Sequence, residues 1–100
     1  MKGLLLGLVT LSLVGCAATK TATAPIPDTA MATRSKVSVA TLQRGHSVYL
    51  AHCGRCHQPI LPKDVSKADW HIVAPGMAWN AGISAADEKA LTAYLTAAAQ

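Results

Sequence analysis

The sequence predicts an all-α fold, a minimal bundle of about three helices over residues 39–100. Three observations lead there. Apolar residues in this stretch recur at spacings of three and four rather than two. Ser66 and Ser84, each with an aspartate three positions on, stand just ahead of helical runs, where such pairs start helices. No segment alternates apolar and polar residues between turn signals, so no strand pair is legible.

The chain opens on Met1-Lys2, followed by an apolar stretch from Leu4 to Val14 broken only by Gly7, Thr10 and Ser12. That is well short of the about 20 residues a helix needs to cross a bilayer. A positive start, a short apolar core and small residues after it read as a signal peptide over residues 1–15. A buried N-terminal helix is the competing reading. Residues 16–38 follow, rich in Ala, Thr, Pro and Ser and without apolar periodicity. Such a stretch buries too little surface to offset its ordering entropy, so it is expected to be a disordered tether. As a coil of roughly 22 residues it would span about 25 Å.

The domain over residues 39–100 is close to the lower size limit for a self-sufficient core, where a metal or cofactor commonly supplies stability. Its first helix is expected from about Thr41, with Leu42, Gly45, His46, Tyr49, Leu50 and Cys53 on one face. The second begins at Ser66, with Asp69 completing a short capping box, and is expected to break at Pro75-Gly76. The third begins at Ser84, with Asp87 and Glu88 in the first turn, where the helix dipole favours negative charge. Leu91, Tyr94, Leu95 and Ala98 form its apolar stripe.

Charge excludes more than it suggests. The formal charge is +4, and removal of residues 1–15 takes away Lys2, leaving eight basic against five acidic residues. An excess this small and scattered does not suit nucleic acid. Hydrophobic residues make up 51% of the chain, but the leader and many alanines inflate that figure, so it does not imply a large core.

The chemistry is concentrated in Cys53-Gly54-Arg55-Cys56-His57. In covalent haem attachment, thiols at this spacing each add to a vinyl group of the porphyrin, and the adjoining histidine binds iron. Structural zinc would ask for a second pair of ligands; there is no second Cys-x-x-Cys, and His46, His52 and His71 do not supply a zinc-type histidine pair. A thioredoxin-like redox pair needs a strand before it and a helix after it, and no strand is legible. A disulfide across two intervening residues closes a strained loop. An exported chain would nonetheless oxidise a close cysteine pair unless something else occupied both sulfurs.

Two resemblances extend this reading. Leu13-Val14-Gly15-Cys16 resembles the lipobox of bacterial lipoproteins, which implies cleavage before Cys16 and lipidation of its thiol. Several acyl chains anchor stably where one would be marginal. The Ala17-Ala18 pair after the cysteine lacks the aspartate that retains enteric lipoproteins in the inner membrane, and so leans towards the outer membrane. From about Thr41 to the C-terminus, the chain resembles a small class I-type cytochrome c, in particular the short group of dihaem-cytochrome-c-like domains. Besides the haem motif, Gly45 and Tyr49 stand eight and four positions before Cys53, where that family packs a glycine and an aromatic against its C-terminal helix. Tyr94-Leu95 matches the Tyr-Leu pair of that helix.

The resemblance implies one covalent haem c held by Cys53 and Cys56, with His57 on iron. In the short group a methionine after a tryptophan-bearing helix supplies the distal sulfur, and Trp70 and Met77 fit that arrangement. His71 and an open or water-bound site are the alternatives for the sixth position. Trp70 has three candidate roles: packing on the haem edge, donating its N–H to a propionate, or filling core. A carbonyl of the Gln58–Pro62 loop, near Pro59 or Pro62, is expected to orient His57. Arg55 reads as a solvated charge, His46 and His52 as surface or packing residues, and Trp79 as a docking residue near the haem mouth. The implied function is a periplasmic, lipid-anchored monohaem electron carrier, not an enzyme. Its partners would be an oxidase, reductase or dehydrogenase, and its location a membrane held through the lipid anchor. The alternative is a haem-based small-ligand sensor or haem enzyme with an open or displaceable distal site.

Overall fold

The structure is a computed structural model in which Gly15 and residues 23–99 are described. The leader and Cys16 lie outside the described residues, apart from Gly15. Among the described residues there are four α-helices and no strand, so the all-α class holds. They are α1 (Thr29–Ser35), α2 (Val39–His52), α3 (Lys67–Asn80) and α4 (Ala85–Ala98), with a short 3-10 turn at Pro62–Asp64. No helix among the described residues is long and apolar enough to cross a membrane.

Each helix starts on a side chain that satisfies one of its free N–H groups. Asp28 accepts from Met31 N at 2.7 Å, Ser38 from Thr41 N at 3.1 Å, Ser66 from Asp69 N at 3.1 Å and Ser84 from Asp87 N at 3.2 Å. Ser66 also donates to the Asp69 carboxylate at 2.8 Å, which locks the start of α3. The starts at Ser66 and Ser84 are the ones the local sequence predicts.

The core forms where α2 and α3 pack on α4. Gly45 is the closest point of the α2–α4 crossing. A Cβ there would overlap the Ala90 carbonyl oxygen and lie 2.6 Å from Tyr94 Cβ. Tyr94 then stacks at a tilt on His46 and Tyr49, with ring centroids 5.1 and 6.0 Å away. All four residues of the expected α4 stripe, Leu91, Tyr94, Leu95 and Ala98, are buried.

Three expectations are corrected. The buried arc of α2 runs through Leu42, Gly45, Val48 and Tyr49, whereas Leu50 is 65% exposed. At 100° per residue, Leu50 lies about 80° round the helix from Leu42, on the opposite side from Val48. Nor does α3 break at Pro75-Gly76, since it continues to Asn80 with Pro75 inside it. An interior proline costs about 3 kcal/mol. Burial of Trp70, Ala74 and Ala78 along the same face opposes that cost and keeps the helix going. The helix stops instead at Gly82, whose φ of 68° permits paired C-terminal bonds: Ile83 N to Ala78 O at 3.0 Å and Gly82 N to Trp79 O at 3.2 Å.

The third correction concerns the linker. Residues expected to form a disordered tether up to Ser38 include α1, which packs on α4 and α2. Met31 sits in the core at 4% exposure, and the Tyr94 hydroxyl donates to the Pro25 carbonyl at 2.8 Å. Burial pushes the Tyr94 phenol well above its ordinary value, so it remains a donor. One long apolar side chain and one backbone acceptor thus extend the packed unit N-terminally, well before residue 39.

Candidate functional site

A cavity of about 190 Å³ opens between the C-terminal end of α2, the loop after it, α3 and α4. Cys53, Cys56, His57 and Ile60 line one side. Met77 lines it from α3, and Leu91 and Leu95 from α4. The space exists because of side-chain size. Ala74 and Ala78, both fully buried, present only methyl groups from α3. Trp70 adds a large flat wall beside them.

The haem-type motif is set on the helix end. Cys53 caps α2, with its N–H on Tyr49 O, and Arg55 N bonds His52 O at 3.3 Å as the chain turns out. The Tyr49 hydroxyl donates to Ile60 O at 3.1 Å and pins the far end of the loop. Burial raises the Tyr49 phenol above its usual range, so this donor stays protonated.

Cys53 is half-buried and Cys56 exposed, and both thiols are free. Burial raises the Cys53 thiol, which therefore stays protonated. A thioredoxin-type nucleophile needs the reverse shift, towards thiolate. Among the described residues, no three His, Cys, Asp or Glu side chains group as metal ligands.

His57 lies at the exposed edge of the cavity with Nδ1 2.8 Å from Gln58 O. A carbonyl only accepts, so this contact calls for a proton on Nδ1 and leaves the Nε2 lone pair free for a metal. The acceptor falls in the expected loop, but at Gln58 rather than Pro59 or Pro62. Pro62 O is taken by Trp70 Nε1 at 2.9 Å. Trp70 is 1% exposed and walls the cavity, and its N–H is engaged by that backbone carbonyl.

Met77, half-buried, reaches the cavity, whereas the rival His71 does not line it. Met31 does not line it either. Trp79 is 85% exposed and outside the lining, while its neighbour Asn80 is part of it. His46 packs on Tyr94, and burial lowers its pKa. His52, expected at the surface or in packing, lines the cavity, with Nδ1 buried and unpartnered. Its position in the last turn of α2, one residue before Cys53, was the available sequence signal. The alanines of α3 gave none, because small residues announce a cavity only once their neighbours are placed.

Against known proteins, no family model, no curated protein and no solved structure matches the chain.

Proposed function

We propose that this chain is a monohaem c-type cytochrome that carries single electrons between protein partners. The observation that supports it is the convergence of Cys53, Cys56, His57 and Met77 on one largely apolar cavity. Cys53 and Cys56 would hold the haem through thioethers, and His57 and Met77 would bind its iron through nitrogen and sulfur. When bound, the haem supplies a one-electron iron couple, and histidine–methionine ligation raises its potential.

The residues around the cavity suit that group. Gln58 O orients the His57 ring and fixes the nitrogen left for iron. Ala74 and Ala78 leave room for a flat macrocycle, and Trp70, Leu91 and Leu95 keep its surroundings apolar. Tyr49 holds the attachment loop closed against α2. Export, lipidation at Cys16 and a periplasmic location at the membrane complete the proposal. Redox proteins in reach of that membrane, such as an oxidase, reductase or dehydrogenase, would be the partners.

The test is the absorption spectrum of the mature protein, oxidised and reduced, produced with haem-attachment machinery. Covalent haem with a weak far-red sulfur-to-iron band, abolished in Met77→Ala, is the expected result. Covalent haem without that band, with prompt carbon monoxide binding on reduction, would favour the sensor or enzyme with an open distal site. Haem-free protein after correct export would overturn the proposal.

A further inference from the structure

Helix α3 is apolar on two opposite sides. Its inner side, Trp70, Ala74 and Ala78, is buried, and among the described residues α4 is the only α-helix it packs on. At 100° per residue, the outer side is an arc of about 100° made of Ala68, Ile72, Pro75, Gly76 and Trp79. No polar residue interrupts this arc, and Ile72 and Trp79 are 76% and 85% exposed. A helix that is apolar all round is ordinarily covered all round, and a contiguous apolar patch marks an interaction surface.

The arc is turned away from the cysteine-lined cavity. Met77, which lines that cavity, lies about 160° round the helix from Trp79. No residue of the arc is part of the lining, so a partner seated here does not enter the cavity.

The layout of the arc is self-complementary. Ile72 and Trp79 stand about 10 Å apart along the helix, equally far from the point between Pro75 and Gly76. A two-fold axis through that point runs two copies of α3 antiparallel and sets Trp79 of each on Ile72 of the other, as an isologous contact requires. Gly76, beside the axis, has no side chain, and a Cβ there would meet nothing within 4 Å, so two helices can come close. Charge agrees with this register. Lys67, Asp69 and His71 lie outside the arc in the first turns of α3, whose last turn has no basic residue. Antiparallel pairing brings Lys67 and His71 of one copy towards the negative C-terminal end of the other's α3 and keeps like charges apart. A helix lying in a membrane surface instead carries bases along its flank, and beside Trp79 there are none.

The area sets the strength of such a pair. At these exposures Trp79 offers roughly 200 Å² and Ile72 roughly 100 Å² of side chain. With Ala68, Pro75 and Gly76, the face comes to about 450 Å² on each copy, or about 900 Å² for a pair. Specific interfaces begin near 1,000 Å² and obligate dimers above about 2,000 Å², so this area fits a weak, reversible dimer.

We propose that the outer face of α3 is the interface of a reversible homodimer, in which a second copy of this chain docks antiparallel with Trp79 of each on Ile72 of the other. The pairing does not rest on the electron-carrier reading, because the arc and the cavity share no residue.

The experiment uses the mature chain with Cys16→Ser, so that no lipid drives association, exported in the presence of haem-attachment machinery. Its absorption spectrum reports the cofactor state separately from association. Sedimentation equilibrium should show the average mass rising from one chain towards two between about 20 µM and about 2 mM. NMR shifts that change with dilution should centre on Ile72, Gly76 and the Trp79 indole, and mixed-label samples should give contacts between Trp79 of one copy and Ile72 of the other. Trp79→Ser should weaken association at least about tenfold and Ile72→Ser about fivefold. Leu50→Ser, at a side chain on α2 that is 65% exposed, should leave it unchanged. A chain that stays monomeric up to about 2 mM would overturn the proposal, as would association undiminished in Trp79→Ser. Contacts of Trp79 with Trp79 in place of Ile72 would overturn the antiparallel pairing. A monomeric chain whose Ile72 and Trp79 signals move only with phosphatidylglycerol vesicles would assign the face to a membrane instead.

Discussion

Replacing Gly45 by alanine tests the α2–α4 packing most directly. On propensity alone the change should help, because alanine is favoured over glycine in a helix interior by about 1 kcal/mol. The structure predicts the opposite sign. The new Cβ would overlap the Ala90 carbonyl oxygen and stand 2.6 Å from Tyr94 Cβ. Neither is the tip of a flexible side chain, so relief requires α2 and α4 to separate. Restoring an ordinary carbon–carbon contact of about 3.5 Å needs a retreat of about 1 Å. Overpacking of this kind costs about 1–3 kcal/mol, and backbone involvement puts Gly45→Ala at the upper end. Less the propensity gain, the net loss is about 2 kcal/mol. For a domain of this size that lowers the melting midpoint by roughly 8–16 °C. Thermal and urea unfolding of wild type and variant, prepared in the same cofactor state, give the comparison. An unchanged or raised midpoint would refute the close crossing, since only an open α2–α4 contact accommodates the methyl group.

Met31→Ala should cost about 2–5 kcal/mol and speed amide exchange in residues 28–36; unchanged exchange there would mean that α1 is not held by Met31. Trp70→Phe leaves the Pro62 carbonyl without its buried donor and should lose about 1–3 kcal/mol in urea unfolding, an outcome contradicted if the variant is as stable as wild type. His46 has its folded-state pKa lowered by burial, so its contribution to stability is present above the unfolded value of 6.5 and is lost as pH falls through the lower folded value. The urea midpoint should therefore drop more steeply towards acid in wild type than in His46→Gln, and parallel profiles would remove this role.

How far the sequence reveals the fold depends on how local each determinant is. Helix starts at Ser66 and Ser84 are legible because a cap and its target lie three residues apart. The α4 stripe is legible because four apolar residues on one arc leave little choice of face. Leu50 shows the limit on α2. Periodicity gives a stripe without its edges, and the partner helix decides whether Val48 or Leu50 is covered. Pro75 misleads because its local cost is known, whereas the burial that opposes it depends on distant residues. The packed N-terminal segment is the least legible part. Tyr94 recognises Pro25 through a backbone carbonyl that any residue could present, 69 positions away. At the candidate site the cysteines, His57 and Met77 are legible through spacing and resemblance. The partner of the Trp70 N–H, by contrast, emerges only when the Pro62 carbonyl is placed.

The fold of residues 23–38 also bears on the proposed function. A free linker from Cys16 to Val39 would extend to about 80 Å, long enough to carry the domain between partners well away from its anchor. The packed unit instead begins at or before Ala24, whose side chain packs on the core, and α1 follows it directly. Only about seven peptide steps then separate Cys16 from Thr23, a reach of at most about 25 Å. With a lipid on Cys16, the body would be held close to its membrane. Partners at that surface would be accessible, and those across the periplasm would not. The electron carrier proposed here is then a local relay beside its anchor, and the interaction of Met31 and Pro25 with the body limits its range.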